Sequence, residues 1–408
     1  MKHTTKRISA LLLALALLLT MAGCGGSEAP APTGTEATAA PAETATEAPA
    51  AEDTAAAPAD APVIEGLTFT EETALRYATV FRLFRYEGGY TLIHIDGDAD
   101  YLVVPEGAAV PANVESTITV LQQPIDTIYL AAPSAMSLFA AVDALDHIRL
   151  TGTRESGWYI DSAVEAMQRG DIEFAGKYSE PDYERLINED CDLAIESTMI
   201  YHTPKVKEMI EDLGIPVLVD RSSYEQHPLG RTEWIKLYAA LVGKDAEAEA
   251  FFEKQADIIT QLEGFENTGK TVAFFFVNSD GSVVIRKPTD YIPKMIELAG
   301  GHYAFADFVT DQTNTSISVT METFYGNAVD ADVLIYNASI DAPISSIDEL
   351  LAKDALFADF KAVKEGNVWC TGKSFYQATD IVGEMIQDIH LVLTGGAESD
   401  MTFLTRVS

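Results

Sequence analysis

The stretch EPDYERLINEDCDLAIESTMIYHTPKVKEMIEDLGIPVLVD, residues 180–220, decides the fold. It opens on a helical pattern over Glu180–Asn188 and passes Cys191 into the short apolar run Asp192–Ile195, which reads as a buried strand. A second helical pattern covers His202–Leu213, Gly214 ends it, and Ile215–Val219 is apolar and β-branched again. Short strands alternating with helices of about ten residues imply parallel βαβ units.

The same alternation extends in both directions. Thr127–Ala131 predicts a strand, Ser134 an N-cap and Ala135–Leu145 a helix; Asp161 is expected to cap Ser162–Gln168, which Gly170 stops. Thr232–Leu262 keeps helical spacing, with a division at Gly243. Beyond Gly269, strand patterns at Thr271–Val277, Ser282–Arg286, Asp332–Tyr336 and Asn367–Cys370 alternate with helical patterns at Tyr291–Leu298 and Ile347–Leu351. The halves echo each other: Pro181–Glu184 opens a helix leading to Asp192–Ile195, as Thr320-Met321-Glu322 leads to Asp332–Ile335. Two such lobes leave a cleft between their strand ends, where open α/β sheets bind ligands. Ahead of them, Arg76–Phe84 and Gly89–Val104 carry strand-like residues around Gly88-Gly89 and Asp96-Gly97-Asp98, a hairpin signal. Residues 63–116 are therefore expected to form a β-rich extension.

Charge narrows the function classes. Against 27 Lys+Arg stand 63 Asp+Glu, a net charge of −36. Nucleic-acid binding needs basic residues to neutralise phosphates, and attraction to anionic lipid needs a basic face; this chain offers neither. Three cysteines are too few for a disulfide scaffold. Lys2, Lys6 and Arg7 precede the apolar run Ile8–Met21, and Met21-Ala22-Gly23-Cys24 reads as a lipobox, with Met where Leu is more usual. The run is short of the ~20 residues of a spanning helix, so residues 1–23 are expected to be a secretory signal and Cys24 the lipidated residue. Gly25–Pro62 holds Ala, Pro, Thr and seven acids without an aromatic or basic residue, the composition of a disordered stalk. Removing the three leader cations and the seven stalk acids leaves −32 on residues 63–408.

The run 177–234, with Ile285-Arg286 through Ala299-Gly300-Gly301, Met321–Tyr336 and Gly366–Cys370, resembles the solute-binding lipoproteins of ABC importers for iron complexes and cobalamin, over roughly residues 117–402. The resemblance implies an α/β fold of two Rossmann-like lobes, 117–244 and 265–408, bridged by a single long helix at 245–264, with the extension outside the common pattern. It implies a monomer without an intrinsic cofactor that captures a metal chelate, a ferric siderophore first, then haem or cobalamin. Its partners would be an ABC permease and ATPase, its place the outer face of the cell membrane, held by lipid. It also implies that one exposed glutamate per lobe, Glu184 and Glu322, docks with permease arginines. The alternative is a ligand-binding surface lipoprotein that senses or adheres without transport.

Ligand contacts are expected where strands end. Trp158 and Tyr159 precede the Asp161 turn and suit stacking on a flat chelate. Arg221 and Arg231 flank a polar, proline-broken loop, and Arg231 could hold an anion. Arg286 ends a strand and is the only arginine between 268 and 400; Tyr291, Tyr336 and Tyr376 lie near strand ends of the second lobe. Ser134 and Met136 could line the opposite wall, although capping and core filling explain them more simply. The histidines have no metal-site spacing, and Cys191 and Cys370 read as buried thiols. No nucleophile elbow, P-loop or dinucleotide fingerprint is present, so neither a catalytic residue nor a bound metal is expected.

Overall fold

The computed structural model describes residues 61–262, 264–312 and 315–408. The expected leader, Cys24 and the stalk up to residue 60 lie outside the described residues. The extension forms one sheet of β1 (Phe69–Glu72), β2 (Phe81–Tyr86), β3 (Thr91–Ile95), β4 (Asp100–Val104) and β5 (Ile118–Gln122), in that order, so its sheet takes in a strand from beyond the expected boundary at 116. β1 to β4 pair antiparallel and β5 joins β4 in parallel. Asp96-Gly97-Asp98 makes the β3–β4 turn, with Gly97 at φ +70°, a conformation that suits glycine. One face of this sheet, with Phe81, Leu83, Ile93 and Tyr101, merges into the main core; the other, with Phe84, Leu92 and Leu102, closes on Ile64 as a small core of its own.

The first lobe holds β6 (Ile128–Leu130), α1 (Pro133–Ala141), β7 (Ile148–Thr151), α2 (Asp161–Arg169), β8 (Glu173–Phe174), the short pair β9 (Gly176–Lys177) and β10 (Glu180–Pro181), α3 (Tyr183–Asn188), β11 (Leu193–Ser197), α4 (Pro204–Asp212) and β12 (Val217–Asp220). Its main sheet runs β12-β11-β6-β7-β8, all parallel, as the βαβ pattern requires. Local details differ from expectation. Pro133 occupies the first turn of α1, so Ala132 is the N-cap and the Ser134 hydroxyl is released to donate to Asp220 Oδ2 (2.6 Å). Asp161 is the first residue of α2 rather than its cap. Glu180-Pro181 pairs as a strand because Gly176, at φ +84°, lets the two backbones approach; a Cβ there would collide with the Glu180 carbonyl. Asp182 then caps α3 by accepting from the Arg185 N–H.

Three helices follow, α5 (Pro228–Glu233), α6 (Ile235–Val242) and α7 (Asp245–Leu262), with Gly243 as left-handed C-cap of α6. α7 packs against α6 and, through Phe252, Ala256 and Ile259, enters the common core. The second lobe contains β13 (Thr271–Val277), β14 (Val283–Arg286), α8 (Tyr291–Leu298), β15 (His302–Tyr303), β16 (Ser316–Val319), α9 (Met321–Ala328), β17 (Val333–Tyr336), α10 (Ile347–Lys353), α11 (Lys361–Lys364), β18 (Val368–Thr371), α12 (Val382–Thr394) and β19 (Leu404–Arg406). Its sheet runs β16-β14-β13-β17-β18-β19, with β15 beside β13. Plain βα alternation is corrected here: β14 is antiparallel to β13, because residues 278–282 are too few for the crossover a parallel pair needs. No described helix is long and apolar enough to cross a membrane.

The extension is fastened to the lobes by two buried carboxylates. Glu233, in α5 and fully buried, accepts from the N–H groups of Arg76 (2.9 Å), Tyr77 (2.8 Å) and Ala78 (2.8 Å), and pairs with Lys236 at 3.2 Å. Glu225 accepts from the Thr79 N–H (2.9 Å), the Val80 N–H (3.1 Å) and Trp234 Nε1 (3.0 Å). Gly230 allows the close passage, since a Cβ there would sit 2.9 Å from the Tyr77 carbonyl. Arg76 and Arg85 add ion pairs to Glu253 (3.0 Å) and Asp245 (2.6 Å) of α7. Glu233→Ala strands three backbone donors and leaves Lys236 with Glu249 (2.9 Å) as its remaining carboxylate partner, and is expected to cost about 3–5 kcal/mol in chemical denaturation, the scale of a buried charge pair broken on one side. Gly230→Ala should lower the melting temperature by pushing residues 76–80 off α5.

Candidate ligand-binding site

The C-terminal ends of the first-lobe strands meet the second-lobe loop that follows β18. The Tyr159 N–H donates to Gln377 Oε1 (2.9 Å), and Gln377 Nε2 donates to the Gly157 carbonyl (2.8 Å). The Thr379 N–H donates to Ser137 Oγ (3.1 Å), and Thr232 Oγ1 donates to the Thr379 carbonyl (2.8 Å). These four bonds draw a seam between the lobes. The Tyr159 ring stays accessible beside it, with the Lys373 ammonium 5.7 Å from its centroid.

Behind the seam lies a cluster of cations and phenols. Arg231, carried by α5, is 8% exposed; its guanidinium carbon stands 4.2 Å from the centre of the Tyr291 ring at the start of α8. Its Nε is buried without a hydrogen-bond partner, and no carboxylate of the described residues pairs with it. Arg286 differs. Asp290 holds it in a fork at 3.1 and 2.6 Å, with Ser316 Oγ at 2.6 Å and Thr315 Oγ1 at 3.4 Å completing the shell. Burial alone would lower its pKa, but the Asp290 carboxylate outweighs that and keeps the cation charged. Tyr376 lies 6.0 Å from the Arg286 guanidinium and accepts a hydrogen bond from Asn337 Nδ2 (2.9 Å). Burial pushes the Tyr291 phenol up to about 12, with Arg231 opposing the shift. A guanidinium removed from water without a counter-ion is costly, and an anionic oxygen that reached this cluster would be held by charge-assisted hydrogen bonds. Beside the cluster a groove of about 710 Å³ runs along α8, lined among others by Gln226, His227, Thr289, Asp290, Lys294 and His302. That volume suits a small molecule. Burial, aided by Lys294, pushes the His227 imidazole down to about 4, so it is neutral there.

The structure gathers Arg231, Arg286, Tyr291 and Tyr376 into one cluster and leaves Tyr159 at its edge. Three expectations are corrected. Trp158 is a core residue, 4% exposed, with its indole N–H donating to the Thr153 carbonyl (3.2 Å), because the turn folds it beneath the strand ends. Arg286 serves the fold: Asp290 neutralises it, so it is not a free anion donor. Tyr336 lies on the opposite face of its sheet, packed on Phe275, with its hydroxyl on Asp341 (2.5 Å). Met136 is fully buried core. Cys191 and Cys370 are buried free thiols, and burial pushes the former up to about 11. No group of three His, Cys, Asp or Glu among the described residues could hold a metal ion. Sequence reasoning missed the seam residues Ser137, Gln377 and Thr379, and Asn337 behind Tyr376, which carry no periodic or motif signal.

Glu184 and Glu322 occupy equivalent places. Each is the second residue of its helix, α3 or α9, and each is exposed. The preceding caps match: Asp182 accepts from the Arg185 N–H, and Thr320 accepts from the Thr323 N–H. The Glu322 carboxyl is lowered by its own backbone N–H and by the Thr320 hydroxyl.

Comparison with known proteins sets this geometry in context. A protein-family model described as "Periplasmic binding protein" matches residues 136–374. An uncharacterized lipoprotein of Methanocaldococcus jannaschii is 29% identical over 244 residues, 58% of this chain and 56% of the relative, so the match spans little more than half of that protein. A second uncharacterized lipoprotein of the same organism is 26% identical over 349 residues, 82% of this chain and 86% of its own length, which carries the likeness through the extension. Among solved structures, the periplasmic heme binding protein of Vibrio cholerae superposes with a TM-score of 0.54 at 16% identity, over 65% of this chain and 98% of that one.

The seam carries an acid with a shifted titration. Burial pushes Asp380 up to about 6, with the Ser137 hydroxyl opposing and Glu384 reinforcing the shift. In the unfolded chain the carboxyl titrates near 3.8, so the folded state binds more protons between these values. The contribution to stability is full below pH 4 and is lost as pH rises through 6. Asp380→Asn should remove that slope, narrowing the melting-temperature gap between pH 4 and pH 7 by roughly 2–4 °C in calorimetry.

Proposed function

The chain belongs to the periplasmic binding protein family, and from that premise we propose that it captures a ferric chelate outside the cell membrane and delivers it to an ABC permease. Arg231 is the observation that carries the reading: a cation nearly enclosed between the lobes, stacked on Tyr291 and lacking a carboxylate partner. A ferric siderophore with carboxylate or phenolate groups would supply the missing charge at a site reached between the lobes, as would haem, the ligand named for the solved Vibrio protein. Arg231→Gln should weaken an anionic ferric chelate roughly tenfold or more, corresponding to the 1.5–3 kcal/mol of a hydrogen bond to a charged group. Unchanged dissociation constants across a panel of ferric siderophores and haemin would remove the support for this reading.

Delivery is assigned to Glu184 and Glu322, whose exposed carboxylates can meet basic partners on a permease. The double variant Glu184→Ala with Glu322→Ala should abolish uptake into cells while chelate affinity stays at the wild-type value; raised salt should reproduce part of the loss by screening. Tethering is assigned to Cys24, as in the relatives that carry the lipoprotein name. Cys24→Ala should release the protein from membranes or leave its leader uncleaved in fractionated cells, again without altering affinity. A lipid tether keeps the loaded protein at high effective concentration beside its permease.

A further inference from the structure

A second cation stands at the rim of the first lobe, outside the Arg231 cluster. β11 and β12 are adjacent and parallel, and the loops leaving their C-terminal ends expose Met199, Tyr201 and Tyr224 at 46%, 40% and 53%. Arg221 lies between the two phenols, its guanidinium carbon 4.5 Å from the Tyr224 ring centre and 5.8 Å from that of Tyr201. Arg221 Nη1 donates to the Tyr201 hydroxyl (3.0 Å) and to the carbonyl of Gly97 (3.2 Å), at the tip of the β3–β4 hairpin of the extension. Its Nε is buried without a partner, and no described residue accepts from Nη2. The hairpin sits there because the Tyr101 hydroxyl lies between two acceptors that share its one proton, the Val217 carbonyl of β12 (2.8 Å) and Asp98 Oδ2 (2.9 Å). Gly97 suits the tip: its φ of +70° is left-handed, and a Cβ there would lie 3.1 Å from Arg221 Nη2 and press on the guanidinium. Large apolar side chains exposed together mark a contact surface, and this group occupies the strand ends where α/β sheets take ligands.

We propose that Tyr201, Arg221 and Tyr224, held by the extension hairpin at Gly97, form a binding shelf for the flat aromatic and anionic part of the ligand, such as a catecholate ring or a porphyrin edge. The proposal rests on the binding-protein reading and assigns the extension a share in recognition. Phenol faces stack on planar rings without regard to their substitution, while the unclaimed guanidinium N–H groups of Arg221 select an anionic oxygen. In a chain of net charge −36, a cation with free donors at a rim gives anionic ligands a local point of attachment.

Intrinsic fluorescence quenching by haemin, a ferric tris-catecholate and an aliphatic ferric trihydroxamate tests the shelf on the whole secreted protein. Tyr224→Ala, Arg221→Gln and Gly97→Ala should each weaken the two aromatic chelates tenfold or more and shift the trihydroxamate less than threefold; Arg221→Lys, which keeps charge without the planar fork, should not restore affinity. Unaltered affinity for the aromatic chelates, with or without a lower melting temperature, would reduce the stack to a joint between extension and lobe and overturn the proposal. A wild-type protein that binds only the trihydroxamate, or none of the three, overturns it as well. Arg231→Gln separates the two readings: if it weakens binding while the shelf variants do not, the shelf alone fails, and if no variant changes any affinity, the binding-protein reading fails with it.

Discussion

Two carboxylates buried between the lobes and the extension constrain everything built around them. Glu233 is inaccessible to water and Glu225 nearly so, at 0% and 2% exposure, and a buried charge without donors is untenable. Their donors are chiefly backbone N–H groups of Arg76–Val80, so the extension cannot leave without stranding both. The same short helix that carries Glu233 carries Arg231. Its Thr232 hydroxyl reaches the second-lobe loop, and Tyr77 stacks on His227 at 4.2 Å just ahead of it. A decoration outside the common family pattern thereby becomes part of the support for the candidate anion site. The ion pairs from Arg76 and Arg85 to α7 extend that grip to the helix between the lobes, although at partly exposed positions such pairs contribute little energy by themselves.

Arg286 and Arg231 differ in whether their charge is already matched inside a strongly acidic protein. At long range its field repels an anionic chelate, and salt confines that repulsion to about a Debye length. Under the proposed function, capture of such a chelate would depend on local donors whose charge is not already spent. Arg286 sits in a fork of Asp290 oxygens with hydroxyl groups around it, and its role ends in the fold. Arg231 is as deeply placed but is matched only by an aromatic face. Cation–π contact offsets part of the desolvation cost of a guanidinium, enough to keep the side chain ordered, while its hydrogen-bond capacity stays available. The availability of a cation is thus set by its neighbours rather than by its depth.

Sequence reading reached the lobes, the alternation of strands and helices, the Asp96-Gly97-Asp98 turn, the break at Gly243 and the helix at Tyr291–Leu298, because each rests on local periodicity or turn chemistry. It also picked Arg231, Tyr291 and Tyr376, which the fold brings together. It failed where the answer is tertiary. Whether Arg286 is free depends on Asp290 four residues away and on Ser316 thirty residues away. Trp158 and Tyr159 are neighbours in the chain, yet one is core and the other accessible, a distinction decided by the irregular turn between β7 and α2. Tyr336, the last residue of β17, packs on Phe275, whereas Asn337 just beyond the strand donates to the Tyr376 hydroxyl. Glu233 left no signal: with Arg231, Thr232 and Lys236 within three residues it reads as an ordinary helix acid, and nothing in the sequence names the distant backbone that pairs it.

Under the proposed function, the equivalence of Glu184 and Glu322 would be the remaining link between fold and delivery. An acid in the first turn of a helix is favoured by the helix dipole and needs no partner to explain it, and in so acidic a chain an unpaired exposed carboxylate selects nothing. What distinguishes these two is their register. Each follows a capping residue by two positions, in the helix that feeds a parallel strand of its lobe, β11 in one case and β17 in the other. A repeated unit that keeps one exposed acid at the same step offers two like charges related by the repeat itself. A two-fold partner can meet both at once only while the lobes keep the relation set by α7 and the seam. Ligand occupancy at the seam and recognition by such a partner would then be coupled through geometry alone, without any contact between the chelate and either glutamate.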